Sequence, residues 1–323
     1  MRRQLSLLAV PVLVLGLAAC TGSGAANPSA SATPSAGAAS CSAPKSGDLS
    51  DAVTVTGDLG AKPTATFKAP LDPTSSQRTT VIEGSGPKAK QGDVVNVSLA
   101  VYDATTGKEQ QSAGYDGQKP TQLTVSTDYY VKGIVDALCG AAEGSRTVTV
   151  ATAADMTTST NATSGTVVPV VIVADIVSIV PQRATGVDQP AQDGFPTVKL
   201  ADDGQPTVTV PKTDPPADLK IEVLKKGDGE VVPDPANVTV QYQGVNWRTG
   251  KVFDQSWGKG QLTPFSTDQV VSGFAKAMIG QTVGSQVVVI IPPSEGYGEA
   301  GQPSAGIEGT DTLVFVIDIL AIG

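Results

Sequence analysis

A chain of 323 residues is long enough for two domains of ordinary size. Its formal net charge of −9, with no Lys/Arg cluster beyond two dipeptides, excludes the electropositive surface that nucleic-acid binding requires. The absence of histidine excludes Ser-His-Asp and Cys-His catalysis, and three scattered cysteines are too few for a closed thiolate zinc site. We therefore expect no nucleic-acid partner, no bound metal and no other cofactor.

The N-terminus carries the pattern of an export signal. Arg2 and Arg3 precede an apolar run over residues 5–19, which is too short for a membrane-spanning helix and predicts a signal peptide over residues 1–19. The run ends in Leu-Ala-Ala-Cys20, which resembles a bacterial lipobox. That resemblance implies lipidation of Cys20 and anchoring on the extracytoplasmic face of the cell membrane. The alternative is an ordinary cleaved signal followed by a cysteine without this role.

Residues 20–47 are almost entirely Ala, Ser, Thr, Gly and Pro, a composition that cannot bury a core and predicts a flexible tether. The two other cysteines are Cys41 and Cys139. In an oxidising extracytoplasmic compartment, an even pair favours a disulfide, which would join the end of the tether to the first domain. The alternative is two unrelated thiols.

An internal repeat organises the rest of the chain. Residues 63–66 (PTAT) recur as 206–209 (PTVT), and at the same offset the tripeptide TGK at 106–108 recurs at 249–251. One unit is therefore duplicated. The repeat predicts a first domain over residues 48–181, a polar linker over 182–192 and a second domain over 193–323.

Each copy combines strand signals with one helix signal. Alternating β-branched residues predict strands at 94–101 and 238–242, and late apolar runs predict strands at 167–177 and 312–320. A helical spacing ends at Gly140 in the first copy and at Gly280 in the second. One short helix packed across a curved antiparallel sheet is an α+β domain.

Five strings in the second copy together resemble the signature of FKBP-type peptidyl-prolyl cis/trans isomerases. In order, they are VQYQG (240–244), KVFDQSW (251–257), QVVSGF (269–274), IPPSEGYG (291–298) and DTLVFVIDIL (311–320). The resemblance runs from about Leu219 to the C-terminus. With the repeat, it implies two tandem FKBP-like domains, the first degenerate. It also implies an apolar cavity between helix and sheet that receives an X-Pro dipeptide.

The resemblance also implies which residues form the site. Its catalytic residues are Tyr242, Phe253, Asp254 and Tyr297, and its substrate contacts are Val270, Val271, Phe274 as the floor, Ile307 and Phe315. We expect Trp257, in a loop beside the cavity, to add apolar surface. Without the resemblance, a salt bridge or capped turn explains Asp254 equally well, an ordinary core explains the phenylalanines, and a sheet edge explains the tyrosines.

Two departures from the family pattern predict weaker catalysis. The floor is usually tryptophan and here is Phe274, and no phenylalanine aligns within residues 258–263, where another wall aromatic is expected. In the first copy, the residues at the positions of Tyr242, Phe253, Asp254 and Phe274 are Leu99, Gln110, Gln111 and Ile134. We therefore expect the first domain to be non-catalytic, either a spacer or a substrate-binding module.

The sequence thus predicts a prolyl isomerase that assists the folding of exported polypeptides at the outer face of the cell membrane, acting on their X-Pro segments. Rotation about an X-Pro bond requires neither acid, base nor metal, so a site without histidine is chemically adequate. The resemblance also implies macrolide ligands. The alternative function is a non-catalytic peptide- or protein-binding envelope lipoprotein that uses the same cavity. Retention of the tyrosines, Phe253 and Asp254 argues against a purely structural scaffold.

Overall fold

The computed structural model describes residues 41–157 and 167–323, so the predicted signal peptide and Cys20 lie outside the described residues. The helices are α1 (Asp48–Asp51), α2 (Lys132–Leu138) and α3 (Ser272–Met278). The N-terminal strands are β1 (Thr54–Thr56), β2 (Thr64–Thr66), β3 (Gln77–Ile82), β4 (Val94–Asp103), β5 (Glu109–Ala113), β6 (Thr121–Thr124), β7 (Arg146–Ala151) and β8 (Val170–Ile179). The later strands are β9 (Val187–Asp188), β10 (Thr197–Leu200), β11 (Pro206–Thr209), β12 (Lys220–Lys226), β13 (Asn237–Asn246), β14 (Val252–Gln255), β15 (Thr263–Ser266), β16 (Gln286–Ile291) and β17 (Leu313–Ile322). None of the helices in these two ranges is both long and apolar enough to cross a membrane.

The longer strands form two antiparallel sheets that share one strand order. The N-terminal sheet has the order β3-β7-β8-β4-β5, with β6 also paired to β4. The C-terminal sheet has the order β12-β16-β17-β13-β14, with β15 also paired to β13. The segment at 182–192, expected to be a linker, contributes β9, which pairs with β12 at the sheet edge. Each strand of the first sheet therefore has a counterpart in the second.

The central strands of each sheet are buried on both faces. In the C-terminal half, one face packs against α3, and the other packs against the β10–β11 hairpin through residues such as Val245 and Val288. The N-terminal sheet is covered in the same way by α2 and by the β1–β2 hairpin. Strands buried on both faces need apolar side chains at successive positions, which explains the continuous apolar runs in β16 and β17.

Helix α3 lies across the sheet at the place the sequence pattern predicts. Its buried face carries Phe274, Ala277 and Met278. It approaches the sheet closely because Gly273 has no side chain: a Cβ there would lie 2.6 Å from Ile291 Cγ2. Gly280, with φ of +79°, follows the helix end in a conformation that favours glycine.

The end of the predicted tether is attached to the N-terminal half. Cys41 and Cys139 form a disulfide, with their Cα atoms 5.8 Å apart. Close by, the Arg78 backbone amide donates a hydrogen bond to the Lys45 carbonyl at 3.1 Å. The Arg78 guanidinium donates to the carbonyls of Asp136 and Cys139. Residues 41–47 are therefore fixed against α2 and β3 by covalent and polar contacts.

The two halves differ in a buried polar pair at matching sheet positions. In the N-terminal half, Arg146 on β7 donates to Asp175 on β8, through Nε at 2.5 Å and Nη2 at 2.7 Å. In the C-terminal half, Gln286 faces Asp318 and donates to it at 2.6 Å, and the Ala184 amide donates to it at 2.7 Å. Amide donors do not neutralise a carboxylate, so burial raises the pKa of Asp318 to about 6.

We expect Asp318→Asn to stabilise the protein at neutral pH. The folded-state pKa of Asp318 lies above its unfolded value, so its contribution is fully present below about pH 4 and is lost as the pH rises through about 6. Asparagine can accept from the Ala184 amide and donate to a reoriented Gln286 amide. Thermal unfolding from about pH 4 to 7 should show the variant gaining about 2–3 kcal/mol over the wild type as the pH rises. A difference that does not change with pH would contradict this assignment.

Candidate active site

A cavity of about 280 Å³ opens between α3 and the curved C-terminal sheet. Residues from four strands, the start of α3 and the loop after β16 contribute to it. The lining residues are Tyr242, Phe253, Asp254, Phe265, Gln269, Val270, Val271, Phe274, Tyr297 and Phe315. All of them except Phe265 and Gln269 were predicted from the sequence.

The floor and walls of the cavity are aromatic rings packed edge to face. The Phe274 ring, only 4% exposed, has its centroid 5.1 Å from that of Phe315, 5.2 Å from that of Phe265 and 6.1 Å from that of Tyr242. Phe253 packs on Phe315 at 5.4 Å. Edge-to-face contacts are favourable because the positive edge of one ring meets the negative face of another. The rings therefore hold one another in place around the hollow.

A β-bulge directs both Phe253 and Asp254 toward the cavity. Asp254 lies opposite Gly244 and Val252 lies opposite Val245, so Phe253 is an extra residue in β14. Successive residues of a regular strand point to opposite faces, and an extra residue breaks that alternation. An aromatic ring and a carboxylate that are adjacent in sequence can therefore line the same cavity.

Gly244 leaves the space that these rings occupy. A Cβ at this position would lie 2.6 Å from Phe253 Cζ and 2.8 Å from Phe315 Cε1, both far inside ordinary contact distance. The position therefore requires glycine for close packing.

The Asp254 carboxylate is held by three donors. The Tyr242 hydroxyl donates to Oδ2 at 2.5 Å, the Gln255 amide donates to Oδ1 at 2.8 Å, and the Lys259 ammonium donates to Oδ1 at 3.2 Å. Partial burial acts to raise the pKa of Asp254, but the hydrogen bonds from Tyr242 and Lys259 outweigh burial and hold that pKa below its usual value. The carboxylate is therefore ionised at neutral pH, at the edge of an apolar hollow.

Both tyrosines at the cavity remain protonated at neutral pH. Burial raises the pKa of Tyr242, and the hydrogen bond to Asp254 raises it further. Tyr297 lies between two 3-10 turns, Pro293–Glu295 and Gly298–Ala300, and is 38% exposed. Burial and the negative charge of Asp254 raise its pKa as well. The Tyr242 hydroxyl therefore donates to the Asp254 carboxylate, and Tyr297 places a second phenol at the mouth of the cavity.

Comparison with known proteins places this cavity in a family. A family model described as FKBP-type peptidyl-prolyl cis-trans isomerase matches residues 229–320, which include every lining residue. The FK506-binding protein of Streptomyces anulatus is 38% identical over 120 residues, 36% of this chain and 97% of the relative. The chain belongs to the FKBP-type peptidyl-prolyl cis-trans isomerase family.

A second sequence relative agrees with this FKBP assignment. A probable FK506-binding protein of Corynebacterium glutamicum is 34% identical over 119 residues, 36% of this chain and 98% of the relative. A solved peptidyl-prolyl cis-trans isomerase from Pseudomonas syringae is 30% identical and covers 41% of this chain and 84% of its own, with a TM-score of 0.30.

Two residues expected to contact an FKBP substrate do not line the cavity. Trp257 is buried against the turn between β10 and β11. Its ring atom Cη2 is so near Gly204 that a Cβ added to this glycine would lie 3.2 Å from it. The chain leaves β14 at Gln255 and carries this ring toward the hairpin. Ile307 is buried in the core that contains Phe274. Reciprocal backbone hydrogen bonds between Gln302 and Ile307 close a turn that holds it there.

The wall aromatic that sequence analysis did not find is Phe265. It lies in β15, two residues beyond the range where a phenylalanine was expected, and its ring centroid is 5.4 Å from that of Tyr242. The length of the loop before β15 determines how far along the chain this phenylalanine lies. The only sequence signal was a lone aromatic residue in a short strand. Gln269, the other omitted lining residue, adds an amide at the rim.

The N-terminal half has a cavity at the matching place, with different chemistry. Its volume is about 460 Å³, and β5 has the same bulge, with Gln110 as the extra residue. Leu99, Gln111 and Ile134 line it, and no carboxylate is present among its described lining residues.

Across the two described ranges, no group of three or more His, Cys, Asp or Glu side chains is arranged to hold a metal ion.

We expect Gly244→Ala to impair both packing and catalysis. The added methyl group must displace Phe253 and Phe315, which should cost about 1–3 kcal/mol of stability and lower kcat/KM for a prolyl peptide about tenfold or more. Thermal unfolding and cis/trans exchange of the full chain measure the two effects.

The control is Gly250→Ala, in the turn between β13 and β14. A Cβ there meets nothing within 4 Å, and its φ of +65° adds only backbone strain. Equal losses of kcat/KM in the two variants would show that the space beside the rings is unimportant.

Proposed function

We propose that the cavity around Phe274 isomerises X-Pro bonds in exported polypeptides at the outer face of the cell membrane. The observation that carries the proposal is one combination: an aromatic hollow, the ionised Asp254 carboxylate at its edge, and the protonated Tyr297 phenol at its mouth. Membership of the prolyl isomerase family supports the reaction. The membrane location depends on the N-terminal sequence.

The hollow acts on the amide by favouring its rotated form. Amide resonance sets a barrier of about 18–20 kcal/mol and makes the planar bond dipolar, whereas the rotated bond has lost most of that dipole. Rings of Phe253, Phe274 and Phe315 solvate a dipole poorly, so they disfavour the planar ground state relative to the transition state. A rate gain of about 10⁵ requires only about 7 kcal/mol of such differential stabilisation.

Asp254 adds an electrostatic preference in the same direction. In the planar bond, resonance places partial negative charge on the carbonyl oxygen, and rotation withdraws it. A fixed carboxylate near that oxygen repels the planar form more strongly than the rotated form. The Tyr297 hydroxyl and the Val271 amide are the donors we assign to position the bound peptide. No step requires a proton transfer or a covalent intermediate.

Substitutions in the cavity test the assignment. Asp254→Val and Phe253→Ala should each lower kcat/KM for a prolyl tetrapeptide at least about tenfold, because each removes part of the preference for the rotated bond. Gln111→Ala is the matched control, since Gln111 occupies the Asp254 position beside the same bulge in the N-terminal half. Exchange rates measured with the full chain decide the question.

Two outcomes would count against the proposal. Equal losses in all three variants would contradict the placement of the site in the C-terminal half. If the wild-type protein leaves the cis/trans exchange rate of the tetrapeptide unchanged, the enzymatic function is wrong.

The second candidate function is binding without turnover. The Phe274 floor favours it, because phenylalanine offers less area than tryptophan and no indole donor. The ligand would then be a peptide, another protein or a macrolide, the last supported by relatives whose names refer to FK506 binding. Tetrapeptide binding without accelerated exchange would establish this function in place of isomerisation.

We also propose that residues 48–181 form a non-catalytic FKBP-like domain and residues 193–323 the isomerase domain. The shared strand order and the shared bulge support this division. The polar or aliphatic residues at the positions of Phe253, Asp254 and Phe274 support the loss of catalysis in the first domain.

We expect Cys20→Ala to move the protein from the membrane to the soluble fraction. Without the thiol there is no site for acylation, which is the anchoring chemistry that we propose. Fractionation of the producing cells measures the change. Cys41→Ala is the control, because it breaks the disulfide but leaves Cys20 in place. Membrane retention of Cys20→Ala would contradict the lipid anchor.

A further inference from the structure

The N-terminal half contacts the loop that joins β14 to β15, beside the cavity. Leu262, at the end of this loop, is 7% exposed and packs with Val94 and Val180 of the N-terminal half. The Tyr129 hydroxyl donates a hydrogen bond to Gln261 Oε1 at 2.8 Å. The contact therefore includes both apolar burial and a polar bond.

The backbones of the two halves also approach each other at this loop. A Cβ at Gly92 would lie 2.6 Å from the Gly260 carbonyl oxygen. With the contacts at Gln261 and Leu262, three consecutive loop residues touch the N-terminal half. The loop itself contains Gly258 and Gly260, both at positive φ, so it is costly to order without external contacts.

The contacted residues lie between two parts of the cavity. On one side, Lys259 donates to the Asp254 carboxylate at 3.2 Å. On the other side, β15 places Phe265 against Tyr242 and Phe274. Residues 260–262 are therefore directly adjacent to Lys259 of the ion pair and to β15 of the aromatic wall.

Two further hydrogen bonds from the N-terminal half reach β17 and β13, the neighbour of β15. The Gln122 amide donates to the Ile322 carbonyl at 2.9 Å, and its oxygen accepts from the Thr239 hydroxyl at 3.1 Å. Thr239 pairs directly with Pro264, the residue before Phe265. The N-terminal half thus contacts both the loop and β13, the strand that pairs with β15 of the aromatic wall.

We propose that the N-terminal half positions residues 256–262, holding Lys259 on Asp254 and Phe265 in the cavity wall, so that the half without a catalytic site tunes the half that has one. Gly92, Tyr129 and Leu262 are positioning residues in this arrangement. The proposal rests on the proposed isomerase function for its effect on rate, but its structural effect is measurable separately.

Two glycine variants in the N-terminal half test the proposal. Gly92→Ala and Gly117→Ala carry the same backbone strain, with φ of +85° and +82°. Only Gly92→Ala presses on the loop, because a Cβ at Gly117 meets nothing within 4 Å. In the full chain, Gly92→Ala should lower kcat/KM for a prolyl tetrapeptide about five- to tenfold, while Gly117→Ala stays within about twofold of the wild type.

Titration of the Asp254 carboxyl carbon by NMR provides a readout that general destabilisation does not change. Loosening Lys259 should raise the pKa of Asp254 in Gly92→Ala and leave it unchanged in Gly117→Ala. Lys259→Gln should raise it in the wild type and add little in Gly92→Ala, since the two changes remove the same contact. The Asp254 titration can be measured even if the wild-type protein does not accelerate cis/trans exchange. That result would contradict the proposed function and leave the positioning role to be decided by the titration.

Tyr129→Phe provides a variant that removes a single hydroxyl at an exposed position. It should shift the NMR signals of residues 259–265 and lower kcat/KM about two- to threefold. Identical kcat/KM and identical Asp254 titration in Gly92→Ala and Gly117→Ala would overturn the positioning role.

Discussion

The hydrogen bond from Tyr242 to Asp254 keeps a negative charge beside an aromatic hollow, and the rest of the site is arranged around that constraint. Apolar surroundings disfavour an ionised carboxylate unless donors compensate. Tyr242 supplies one donor from β13 and Lys259 another from the loop, and together they outweigh burial. The bulge at Phe253 then allows the charged residue and the aromatic residue to share one cavity.

Comparison of the two halves shows that strand order does not determine chemistry. Both sheets have the same order, both carry a bulge in the strand beside the cavity, and both enclose a hollow against a seven-residue helix. The difference lies in a few side chains, with Gln111 in place of Asp254 and Ile134 in place of Phe274. Function therefore resides in the site rather than in the fold.

Much of the cavity was predictable because its residues lie in regular elements or ordered motifs. The five strings resemble the family signature, and that resemblance implied Tyr242, Phe274 and Phe315 as site residues. The helical spacing by itself predicted only a helix at this place. Phe265 was omitted and Trp257 was expected at the cavity because the positions of both depend on the path of one loop between β14 and β15. That path is determined in part by contacts with the N-terminal half, which local periodicity does not encode.

The most direct test of the account is to locate a bound prolyl tetrapeptide on the full chain by intermolecular nuclear Overhauser effects while its cis/trans exchange is recorded. The account predicts proline-ring contacts to Phe274 and Phe253, with the cis and trans signals exchanging faster than in free peptide. Contacts to Leu99 and Ile134 of the N-terminal cavity instead, or contacts to Phe274 without faster exchange, would contradict it.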